Sequence, residues 1–127
     1  MKIRFQASTL RLRLRRSEVE QLLAEGRVAE SVDFASGALV YSLELADGLE
    51  VARASFEGRE ICVQVPRKQA KDWASGSAVG IASPLEVPSV LIEKDFVRSA
   101  VEEQDDYDRF ANPRSGRKPP AAPAEKS

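Results

Sequence analysis

Apolar and charged residues alternate strictly at the start of the chain. Ile3 and Phe5 alternate with Lys2 and Arg4, and Leu10, Leu12 and Leu14 alternate with Arg11, Arg13 and Arg15. Successive side chains of an extended chain point to opposite faces, so each stretch carries an oily face and a basic face. A helix would scatter the leucines around its axis, and the pattern therefore predicts strands. The short, mostly polar link Gln6-Ala7-Ser8-Thr9 predicts a hairpin between them.

The period then changes. Ser17 followed by Glu20 has the spacing of a capping box, and Val19, Leu22 and Leu23 recur at helical spacing up to the stop at Gly26. Two to three turns are too few to be stable alone, so this helix must pack on the sheet. Arg27–Phe34 alternates weakly and Leu39–Leu45 more clearly, and both read as strands. The second closes on Asp47-Gly48, a hairpin-type turn signal. Val51–Phe56 and Glu60–Val65 flank the hairpin-like Glu57-Gly58. Pro66 suits the opening of a helix over Arg67–Ala74, with Ala70, Trp73 and Ala74 on one face and Gly76 as its stop. The core-facing positions of that helix, with Tyr41 and Phe56, are expected inside. Ala78–Ala82 is a short strand and Ser89–Glu93 the last clear one.

Hairpin, helix, glycine, strand, turn, strand thus occurs twice, over about 2–45 and 53–96. A shift of 51 superposes Ile3 on Ala54, Phe5 on Phe56, Leu10 on Ile61, Leu12 on Val63 and Leu14 on Val65. It also superposes Val19 on Ala70, Leu22 on Trp73, Val28 on Val79, Leu39 on Val90 and Tyr41 on Ile92, but it sets Leu43 on Lys94 and Val32 on Ser83. The expected fold is α+β: a small, mostly antiparallel barrel or curled sheet with two short helices and pseudo-duplicated β-β-α-β-β units. Its expected core holds Phe5, Leu10, Leu12, Leu14, Leu22, Phe56, Ile61, Val63, Val65, Trp73 and Ile92. Residues 1–100 form one domain. An acidic run, Glu102–Asp108, and a Pro/Ala-rich stretch make a tail over 101–127 with too little apolar surface to offset its ordering entropy.

The segment Val63-Gln-Val-Pro66, followed by Arg67 and Lys68, resembles the SpoVT/AbrB-type module. There, two copies interleave their hairpins into one small barrel. The resemblance covers about residues 2–96 and implies that a single chain supplies both copies. It also implies that arginines of the hairpin and its exit, here Arg11, Arg13, Arg15 and Arg16, contact DNA. The chain as a whole resembles a bacterial family with no assigned activity. Its members share a Met-Lys-Ile-Arg-like strand, a Leu-Arg-Leu-Arg-like strand, a Glu-Lys-Asp-Phe segment (here Glu93–Phe96), an acidic stretch and Asn112-Pro113.

Composition narrows the chemistry. The 127 residues are 43% hydrophobic and 31% charged, one domain of ordinary globular make-up. No apolar run reaches the ~18 residues of a membrane span, and no secretory signal opens the chain, so a cytoplasmic setting is expected. Histidine is absent, which removes the commonest general base and metal ligand. The lone Cys62 reads as a small apolar strand residue, and no cofactor or metal site is expected. No phosphate loop or nucleophile elbow is present, and an enzyme ranks last among the function classes.

Net charge is −1, yet residues 1–16 hold six of the 19 bases and none of the 20 acids. That asymmetry points to an anionic partner, nucleic acid or an acidic protein, for Lys2, Arg4, Arg11, Arg13, Arg15 and Arg16. Strand arginines two residues apart stand about 7 Å apart, close to phosphate spacing. The competing reading is a solvated sheet face salt-bridged to Glu30, Glu44 or Glu57. A second function is a small protein-interaction or regulatory module using the acidic tail or a sheet edge. The tail either folds back on the basic face or only solubilises. Oligomeric state stays open, a monomer sufficing if both units close one core.

Overall fold

A computed structural model describes residues 1–95. In chain order these form β1 (Lys2–Gln6), β2 (Thr9–Leu14), α1 (Arg16–Glu25), β3 (Arg27–Phe34), β4 (Gly37–Ala46), β5 (Arg53–Glu57), β6 (Glu60–Pro66), α2 (Arg67–Ser75), β7 (Gly80–Ser83) and β8 (Ser89–Lys94). The β-β-α-β-β order occurs twice, as the pattern predicts. The expected tail and the Phe96, Asn112 and Pro113 positions lie outside the described residues.

The strands make two four-stranded mixed sheets, ordered β1-β2-β8-β7 and β3-β4-β6-β5, and neither closes into a barrel. Each sheet joins one hairpin from each half of the chain. The central pair is parallel in both, β2 with β8 and β4 with β6, while the outer pairs are antiparallel. Asp47-Gly48 is accordingly no hairpin turn. It opens the crossover to β5, because β6 inserts between β4 and β5. Alternation cannot foresee this: it sets which face a residue takes, not which strand lies beside it.

The repeat register needs correction for the same reason. Leu10 lies beside Val90 in one sheet, and its counterpart Ile61 lies beside Tyr41 in the other. Tyr41 therefore corresponds to Val90, and Leu43 to Ile92, a shift of 49. Val28 faces Leu43 as Ile81 faces Ile92, a shift of 53. Only the first hairpin and helix keep the shift of 51. Val79 lies outside β7 and is exposed; its carbonyl accepts the Trp73 indole N–H at 3.0 Å and the Lys94 N–H at 3.1 Å.

Leu10, Leu12, Leu14, Leu22, Val28, Leu43, Val63, Val65, Ala70, Trp73, Ile81, Val90 and Ile92 fill one core from the inner faces of both sheets and both helices. Each such aliphatic side chain contributes about 1.5–3 kcal/mol on burial. The helices leave β2 and β6 at one end and pack on each other there. The opposite end carries the hairpin turns, tied together by Ser89 N–H to Ser8 O, Val40 N–H to Arg59 O and the Arg59 guanidinium to Ser36 O. That guanidinium lies over Gly37, where φ is +140° and a Cβ would strike it. Phe5 and Phe56 sit at this end, 58% and 68% exposed, rather than in the core. They point inward by alternation, but neither α1 nor α2 lies at that end.

The start of α1 also differs from expectation. The carboxylate of Glu18, not Glu20, reaches back to accept the Arg15 backbone N–H at 2.9 Å, so the cap lies two residues earlier than Ser17. Gly26, at φ +83°, ends the helix in the left-handed conformation that glycine tolerates. No helix among the described residues is long and apolar enough to cross a membrane.

Candidate nucleic-acid interface

The leucines of β2 are buried, which turns Arg11 and Arg13 to the outer face of the first sheet. Antiparallel pairing sets Lys2 opposite Arg13 and Arg4 opposite Arg11. Four cations thus stand two by two on one face. Like charges directly opposite each other destabilise a sheet, so the arrangement works against folding unless something neutralises it.

Two carboxylates on or next to β8 do so in part. β8 runs beside β2 with Glu93 next to Arg13. Its Oε1 lies 3.3 Å from Arg11 Nε and 3.7 Å from Arg13 Nη2, and Lys2 Nζ lies 3.6 Å from Asp95. The contacts to Glu93 are charge pairs without aligned hydrogen bonds; Oε1 is buried and has no hydrogen-bond partner among the described residues. Arg4 is exposed and has no carboxylate partner among them. The salt-bridge reading therefore holds in part, with different partners. Glu30, Glu44 and Glu57 belong to the other sheet. The signal for Glu93 and Asp95 was present in the sequence: they alternate with Lys94 on a strand and share one side.

Arg15 and Arg16 leave this face. Arg15 caps α1, and its 70% exposed side chain lies 3.6 Å from Glu18; Arg16 is the first helical residue and exposed. They extend the basic surface at the helix end of β2. Beneath them the amino-terminal ammonium pairs with Glu18 and, at 3.0 Å, with Glu30, while the Tyr41 hydroxyl donates to Met1 O at 3.0 Å. Burial pushes the Glu18 carboxyl up, but the hydrogen bonds from the ammonium and from the Arg15 N–H outweigh it. The net position is below the usual carboxylate value. Burial, with the charges of Glu30 and Glu18, pushes the Tyr41 phenol up.

The outer face of the second sheet is polar and largely paired. Glu60 accepts from Ser42 at 2.7 Å and from Arg27 at 2.8 Å, which holds its carboxyl low, and Gln64 donates to Glu44 at 3.1 Å. Cys62 lies beside Ser42 in this layer, and burial is the main cause pushing its thiol up. It should therefore react with iodoacetamide at pH 8 several-fold more slowly than free cysteine, since the thiolate is the nucleophile. Equal rates in a stopped alkylation series followed by mass spectrometry would contradict this. Among the described residues no group of three or more Cys, Asp or Glu is arranged to hold a metal ion.

The acidic run Glu102–Asp108 lies outside the described residues, and its relation to the basic face is not part of this geometry. The model of a family of unknown function, DUF7009, matches residues 1–114, and the chain belongs to that family. No curated protein and no solved structure matches it.

Proposed function

We propose that this DUF7009 chain is a non-enzymatic binding module. Its partner class is a polyanion, nucleic acid first. The outer face of its first sheet takes the phosphate backbone through Lys2, Arg4, Arg11 and Arg13, with Arg15 and Arg16 extending the track. One observation carries the reading: the sheet sets Lys2 against Arg13 and Arg4 against Arg11, and among the described residues only Glu93 and Asp95 stand against those four cations. A polyanion relieves that repulsion on binding.

Anisotropy of a labelled random-sequence duplex, titrated from about 50 to about 200 mM salt, tests it. With four to five phosphates contacted, log K should fall with log salt at a slope of roughly −4. Absence of binding at the low-salt end removes the proposal. The Glu93→Gln variant gives a check of opposite sign. It releases Arg11 and Arg13 from their shared counter-charge, so affinity should rise several-fold. A loss of affinity would mean that Glu93 positions the arginines rather than competing for them.

A further inference from the structure

Among the described residues, the end opposite the two helices is apolar. Phe5, Leu10, Phe56, Ile61, Val87 and Pro88 line most of a groove of about 520 Å³. Phe56 also borders a second, smaller groove beside Phe34. Among the described residues, the only charged side chain lining either is Arg59. Beside the first groove the β7–β8 loop projects, with Leu85 and Val87 94% and 89% exposed. A patch of this kind marks an association site in a folded protein.

We infer that a second copy of this chain covers it, end to end. Three features select that occupant. A hole and a knob lie side by side: the Phe5–Phe56 groove and the loop that carries Leu85 and, on the groove's own rim, Val87. That is the self-complementary layout a two-fold contact needs, each loop entering the other copy's groove. The area is adequate: taking ~200 Å² for a fully open phenylalanine, Phe5, Phe34, Phe56, Leu85 and Val87 together expose roughly 650 Å². Stable interfaces take about 800 Å² per partner, which the rims of the two grooves would complete. Finally, so little charge lines the grooves that nothing in them selects an acidic or basic peptide over an identical face.

Sedimentation equilibrium of the full chain decides it. The expected mass is twice the 13.9 kDa of one chain at micromolar concentration. Phe56→Asp should weaken self-association on the order of 100-fold, since a charge then enters a desolvated anchor position. Val87→Asp, in the exposed loop, should do the same and tests the idea should the Phe56 variant fail to fold. Arg4→Glu should leave the dimer intact. A single-chain mass at all concentrations, whatever else covers the groove, overturns the inference, as does a dimer unaffected by Val87→Asp. Neither outcome bears on the polyanion reading, which rests on another face.

Discussion

Replacing Glu18 by alanine should lower the thermal midpoint by roughly 12–24 °C, about 3 kcal/mol for a domain of this size. Its carboxylate holds the buried amino-terminal ammonium and closes the first turn of α1 through the Arg15 N–H. Removing it leaves a buried cation whose remaining carboxylate partner among the described residues, Glu30, is 40% exposed. Glu18→Gln keeps an acceptor for the Arg15 N–H and should recover about 1 kcal/mol, the usual value of a cap. The pH dependence follows from the lowered Glu18 carboxyl. Its stabilisation is fully present above the ordinary carboxylate value near 4.5 and is lost as pH falls through its folded value. Wild-type stability should therefore decline below about pH 4.5 more steeply than that of Glu18→Gln. Urea midpoints across that range measure it, and parallel curves for the two proteins would refute the role of Glu18.

Reversing Arg4 and Arg11 together should weaken duplex binding by about 100-fold near 100 mM salt and reduce the salt slope by about 2. Two of the four cations of the first sheet face then repel the backbone they are proposed to meet. The single variant Arg4→Glu is more telling. It places a carboxylate opposite Arg11, turning a like-charge pair into an opposite one. Stability should rise by about 0.5 kcal/mol while affinity falls about tenfold. Opposite movement of the two quantities marks a residue kept for binding at the expense of folding. If both rise, or neither changes, the cations of β1 and β2 are only a solvated surface.

The strands and helices were legible because their periods are clean. Leu10, Leu12 and Leu14 are buried, and Arg11 and Arg13 face outward, as alternation requires. Trp73 is buried through its place on the α2 face. The cap at Glu18 was not legible: Ser17 with Glu20 offered equally good spacing. Glu18 prevails because it also meets the ammonium, a contact from outside the helix. At the candidate interface, the four face cations came from the pattern, while Arg15 broke it by ending the strand.

What the chain order determined by itself is the set of elements and the face each side chain takes, since both follow from local backbone geometry. Which strands become neighbours was settled only on folding. Insertion of β8 beside β2 brought Glu93 to Arg11 and Arg13, and insertion of β6 beside β4 displaced the repeat register by two residues. The same assembly placed α1 and α2 at one end and left Phe5 and Phe56 exposed at the other. Those outcomes depend on contacts between residues far apart in the chain, such as Thr9 with Ser89, 80 positions away, and no local period encodes them.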